Sequence, residues 1–129
     1  MTENAEAGSR EAREPDGHQV VCARGDLDWE SAQDFAERIR CARGRRPALL
    51  IADLSGVTFA DSSTLHTLFE AHRGLAAAGG RLVIAGPLDP VVQRLFDVSA
   101  TAGYFHFAAS AREAAAGADV TKPRRGDRR

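Results

Sequence analysis

Cysteine is almost missing from this chain. Cys22 and Cys41 are the only two, and their spacing suits neither a disulfide framework nor a zinc site. A reducing compartment, the cytoplasm, is therefore expected. Aromatic residues are also few, with one Trp, one Tyr and six Phe, so the interior must be filled by Ala, Val, Leu and Ile. An excess of one charge is lacking too. A formal net charge of -1 gives no general field for nucleic acid or an acidic membrane, and partners must be chosen by a local patch. There is no apolar stretch at the N-terminus and no run of about 18 apolar residues, so neither a signal peptide nor a membrane span is expected.

What remains is a chain of 129 residues, 43% hydrophobic, the size and composition of one domain. Met1 to Gly17 is polar, with five acids against two bases. Residues 1–8 are expected to be a disordered arm. Asp16-Gly17 is a hairpin signal, and Ser9 to Glu14 would form a polar edge strand paired with His18 to Ala23. Residues 117–129 are expected to be a disordered basic tail; Lys122 to Arg129 holds five bases and one acid. No aromatic residue is interleaved with those bases, so no specific nucleic-acid binding is expected. A single domain would span residues 9–116.

Within it, turn signals separate alternating strand and helix segments. Val20 to Ala23 is a short β-branched run. Asp28 offers an N-cap to a helix with an apolar stripe at Ala32, Phe35, Ala36 and Ile39, ended by Gly44 and Pro47. Leu49 to Ala52 has the length of a buried strand. A second helix is expected from Ser62 to Ala78, with Leu65, Leu68, Phe69 and Ala76 on its inner side and Gly79-Gly80 stopping it. Leu82 to Ala85 is another strand. Asp89-Pro90 then starts a third helix that buries Val92, Leu95, Phe96 and Ser99. Tyr104 to Phe107 reads as the last strand, and Ser110-Ala-Arg-Glu113 is a capping box opening a final helix. Strands separated by helices need crossover connections, which gives an α/β protein with a mainly parallel sheet.

The segment Asp53-Leu-Ser-Gly-Val-Thr-Phe-Ala-Asp61-Ser62-Ser63-Thr64-Leu65 lies between a strand and a helix, so two hydroxyls and a carboxylate fall where a helix begins. First-turn N–H groups there have no intrahelical partner and tolerate an anion. The stretch resembles the signature of the STAS family, in its small single-domain members that act as anti-sigma factor antagonists. Twelve of the thirteen positions are compatible with the pattern Asp-Leu-Ser-Gly-Val-x-Phe-x-Asp-Ser-Ser-Gly-Leu. Gly25-Asp26-Leu27-Asp28, Gly79-Gly80-Arg81-Leu82-Val83 and Val92 to Asp97 resemble further family segments, in order, over about Val20 to Ala116.

The resemblance implies a small, mainly parallel or mixed sheet with helices packed mostly on one side. It also implies a switch in partner choice. The unphosphorylated chain would bind an anti-sigma factor of the histidine-kinase-like serine kinase type and free a sigma factor. Phosphate on Ser63 would end that binding, and a PPM-type serine phosphatase would restore it. Asp28, Asp61, Ser62, Ser63, Thr64 and His66 would form the partner surface, with Asp53 structural nearby and Ser62 in the N-cap position. Two departures stand out. Thr64 replaces the usual Gly and His66 occupies an often small position, and both are expected to be exposed, with Thr64 a second acceptor hydroxyl. A scaffold or sensor-complex role on the same fold is the alternative.

An enzyme would make Ser63 a nucleophile and His66 or His72 its base, but no Gly-x-Ser-x-Gly elbow is present, and no catalysis is expected. His72 reads as a hydrogen-bonded histidine at the core boundary. His18, His66, His72 and His106 lack metal-ligand spacing. Gly79-Gly80 precedes a strand, the wrong order for a phosphate loop, so neither a metal nor a cofactor is expected.

Overall fold

A computed structural model of the chain describes residues 17–117. The order is β1 (His18–Asp26), α1 (Trp29–Gly44), β2 (Leu49–Phe59), α2 (Ser62–Ala77), β3 (Arg81–Ala85), α3 (Pro90–Val98), β4 (His106–Ala108) and α4 (Ala111–Ala115). The sheet runs β1-β2-β3-β4, with each neighbouring pair parallel. The expected hairpin strand at Ser9 to Glu14, the N-terminal arm and nearly all of the basic tail lie outside the described residues.

Alternation along the central strands separates two cores. Leu50, Ala52 and Leu54 of β2 and Leu82 and Ile84 of β3 face α1, α2 and α3, packing with Phe35, Ile39, Leu68, Leu75, Val92 and Phe96. Their neighbours Leu49, Ile51, Val83 and Ala85 face the other way, onto Ala114 of α4. Both faces of β2 and β3 are thus covered, which accounts for their unbroken apolar runs. The covering is unequal, with three helices on one side and a single short one on the other. Small residues let the layers close: a Cβ at Gly80 would lie 2.4 Å from the Pro47 carbonyl oxygen, where the turn after α2 crosses the start of β2.

The structure changes the expected boundaries most at β2. The Asp53 to Ser63 segment is not a loop. The strand continues to Phe59, and the pairing shifts register between Cys22 and Arg24 opposite it. Ser55-Gly56 resembles a turn in sequence, but it is the irregular stretch of a bulged strand. The Asp53 carboxylate accepts the Ser55 N–H at 3.0 Å, and a Cβ on Gly56 would stand 3.0 Å from that of Arg24. Leu54 and Val57 remain buried through it. The last strand is shifted to His106–Ala108, because Phe105 enters the core beneath it.

α2 is also rotated from its expected phase. Its buried positions are Thr64, Leu68, Ala71 and Leu75, while Leu65 and Phe69 flank them and Ala76 is exposed. In α3, Ser99 is exposed as the C-cap and its hydroxyl donates to the Leu95 carbonyl at 2.7 Å. His72 is half-buried, with its Nδ1 lacking a hydrogen-bond partner; its ring packs edge-on to Tyr104, at 4.7 Å between centroids. Burial lowers its pKa.

α2 and α3 end in the same hydrogen-bonded motif on different residues. After α2, the Gly79 N–H donates to Ala76 and the Gly80 N–H to Leu75; after α3, Ala100 donates to Asp97 and Thr101 to Phe96. The motif puts its pivot in the left-handed region, with φ 89 at Gly79 and φ 63 at Ala100. Glycine adopts that conformation freely, whereas alanine strains against its own Cβ. Ala100→Gly should therefore raise stability by about 0.5–1 kcal/mol and Gly79→Ala lower it by about 1–2 kcal/mol in urea unfolding. A loss of stability in Ala100→Gly, or none in Gly79→Ala, would show that the helix ends are not held this way.

Candidate functional site

β1 and β2 stay joined to their final residues. The Leu27 N–H donates to the Phe59 carbonyl at 2.8 Å, and the Thr58 hydroxyl to the Asp26 carboxylate at 2.6 Å. The helices launched from these two strands consequently start side by side. Asp28 caps α1 in a reciprocal box with Ser31: its Oδ1 accepts the Ser31 N–H at 3.1 Å, while the Asp28 N–H donates to the Ser31 hydroxyl at 3.0 Å. Hydrogen bonds from Ser31, chiefly its backbone N–H, lower the Asp28 pKa.

Asp61, and not Ser62, is the N-cap of α2. Carboxylates and short hydroxyls are both favoured there, and Asp61 takes the position because it already lies in extended backbone just before the first helical turn. Its Oδ1 accepts both the Ser63 N–H at 3.0 Å and the Ser63 hydroxyl at 2.7 Å. The hydroxyl bond leads in lowering the Asp61 pKa, with the backbone bond next. Ser62 and Ser63 are exposed. The Ser63 oxygen thus stands at the rim in an orientation set by one carboxylate, on the second residue of a helix.

Thr64 is not part of that surface. It is 1% exposed, and its hydroxyl has no hydrogen-bond partner. The reason is helical phase, since Thr64 precedes Leu68, Ala71 and Leu75 by four, seven and eleven positions and faces the core with them. Its expected roles as a partner contact and second acceptor are therefore corrected: it is a core residue. His66 is exposed as expected, with its Nε2 3.6 Å from Glu70. Asp53 lies in mid-strand, on the face turned away from α1 and α2. There it accepts the Cys22 thiol at 3.6 Å; burial foremost, then the Asp53 charge, pushes that thiol's pKa up.

A shallow groove of about 420 Å³ separates the starts of α1 and α2, lined by Trp29, Ala32, Gln33, Ala36, Ser62, Ser63, His66 and Thr67. Trp29 and Gln33 were not recognised from sequence. Trp29 is 77% exposed, and its place directly after the Asp28 cap was the available signal. Among the described residues, no group of three or more His, Cys, Asp or Glu is arranged to hold a metal ion, and no helix is long and apolar enough to cross a membrane.

The STAS domain pattern matches residues 9–114. The chain belongs to the STAS domain family. Solved structures of similar shape include the anti-sigma factor antagonist SpoIIAA in its unphosphorylated form, 23% identical, with a TM-score of 0.66 over 78% of this chain and 86% of that one. An anti-sigma factor antagonist from Mycobacterium paratuberculosis is 20% identical, with a TM-score of 0.70 over 82% of this chain and 89% of that one. The phosphorylated form of Bacillus SpoIIAA, described as a cell fate determinant, is 23% identical, with a TM-score of 0.60 over 78% and 90% of the two chains. At these identities the likeness is one of fold.

The geometry of this STAS domain yields two expectations. Thr64→Val removes a buried, unpaired hydroxyl at little change of shape and should stabilise the fold by about 1 kcal/mol in urea unfolding; a loss of that size would mean the hydroxyl is used. The lowered Asp61 pKa stabilises the fold above the ordinary carboxylate value, and this contribution is lost as pH falls through the lowered one. Asp61→Asn keeps a capping oxygen, so it should match the parent near neutrality and show a shallower decline below about pH 4, followed by circular dichroism.

Proposed function

We propose that this STAS domain is an anti-sigma factor antagonist acting in the cytoplasm, switched by phosphorylation of Ser63. The observation that carries the reading is the uncovered Ser63 hydroxyl, aimed by Asp61 at the start of α2. Likeness of fold to proteins described as anti-sigma factor antagonists, one of them in both unphosphorylated and phosphorylated forms, supports it. The unmodified rim, with Asp28, Asp61, Ser62, Ser63 and His66, docks onto an anti-sigma factor that is itself a serine kinase of the histidine-kinase-like type, and the sigma factor is released. A PPM-type phosphatase resets the chain.

Phosphate adds about -1.5 to -2 charge at neutral pH. Within the domain it removes the Ser63–Asp61 hydroxyl bond and sets a dianion beside that carboxylate. The helix start returns about 0.3–1 kcal/mol, and no core residue has to move. In the complex, the same group must be stripped of water and fills the contact surface. A cost of about 3–4 kcal/mol there weakens binding by a few hundredfold. The site is poorly arranged for hydrolysis: the Ser63 proton is directed to an exposed carboxylate whose pKa is lowered, which makes it a weak base.

Incubation with ATP and the anti-sigma kinase should add one phosphate by intact mass, absent in Ser63→Ala and undiminished in Thr64→Val. A pull-down should retain the anti-sigma factor on Ser63→Ala and lose it on Ser63→Glu. Equal retention by both would remove the switch.

A further inference from the structure

The two segments that meet at the groove, residues 26–37 and 59–72, carry seven carboxylates and no lysine or arginine. This is a strong local bias in a chain whose net charge is only -1. The balancing arginines begin at Arg38, with Arg38, Arg40 and Arg43 in the second half of α1 and Arg45 and Arg46 just past its end. Asp34 and Glu37 are paired with them, through Arg38 at 3.9 Å and Arg40 at 2.6 Å. Of the acids beside the groove, Asp28 and Asp61 are used in caps and Glu30 follows Trp29 in the first turn of α1, and no ion pair joins any of them to a base among the described residues. The groove itself is mainly apolar, with Ala32 and Ala36 at its base and Trp29 forming one wall.

An exposed tryptophan is a large apolar surface left in water, and here the capping box of Asp28 and Ser31 fixes the helix turn that carries it. Tryptophan in such a setting is the residue type most often found to dominate an interface. We propose that Trp29 is the specificity-determining anchor of the partner surface. The groove receives an apolar side chain of the anti-sigma factor, bordered on that protein by lysine or arginine. The proposal rests on the function given above. The apolar base selects the inserted side chain, and the carboxylate rim selects its cationic border. Because Ser63 lines the same groove, a phosphate there occupies the space the inserted side chain needs. A basic border would not repel that phosphate, so occlusion of the groove accounts for release.

The test is calorimetric titration of the full chain with the anti-sigma factor that Ser63→Ala retains. Trp29→Ala should weaken binding by about 10–100-fold, with its melting temperature unchanged because the side chain is exposed. Glu30→Lys should weaken it by a few fold and flatten the loss of affinity with salt. Trp29 is the only tryptophan, so 5-fluorotryptophan labelling gives a single fluorine resonance, which should shift when the complex forms. Wild-type affinity in Trp29→Ala with an unmoved resonance would overturn the anchor while leaving the Ser63 switch intact. No binding of the anti-sigma factor by the unmodified parent would instead remove the antagonist reading, and the anchor with it.

Discussion

The parallel pairing of β1 with β2 is the constraint on which the site depends. It survives two shifts in register, between Cys22 and Arg24 and between Gly25 and Asp26, and continues to Asp26 and Phe59. Had the strands parted after Asp53, the starts of α1 and α2 would hang on two independent loops. Instead one backbone bond, from Leu27 to Phe59, and one side-chain bond, from Thr58 to Asp26, tie the two launch points together. Capping by Asp28 and Asp61 then sets the direction of each helix within a turn of those bonds. Position at the rim is thus inherited from the hydrogen-bonded sheet and not from loops.

Helical phase decides which hydroxyl is available at that rim. Three consecutive residues, Ser62, Ser63 and Thr64, are chemically similar, yet the third turns into the core with Leu68 while the first two stay in water. Ser63 differs from Ser62 in one further respect, since its oxygen donates to the carboxylate that also holds its backbone. The carboxylate that caps the first turn of α2 is therefore the one that orients the candidate acceptor. Capping and the orientation of that hydroxyl share a single group.

Much of the architecture was legible before any coordinates. Alternating apolar runs and 3.6-residue stripes marked the described strands and helices, and Asp28, Asp89 and Ser110 announced their helix starts through capping chemistry. The failures have particular causes. Ser55-Gly56 carries turn residues, and only the long-range pairing with β1 keeps that stretch extended, which local sequence does not record. Around Thr64, apolar residues at 65, 68 and 69 fit a stripe centred on either side, and the sheet beneath α2 selects the one that includes a hydroxyl. Trp29 was passed over because an isolated aromatic residue next to a cap has no periodicity. Its place in the groove appears only when α2 lies across from it.

Apart from the capping carboxylates Asp28 and Asp61 and Ala32 at the groove base, the residues around the groove and the residues of the core are separate sets. Trp29, Glu30, Ser62, Ser63 and His66 are exposed and belong to neither buried cluster, so replacing them leaves the interior as it was. Substitutions at these positions can therefore accumulate one at a time without opening a cavity in either core.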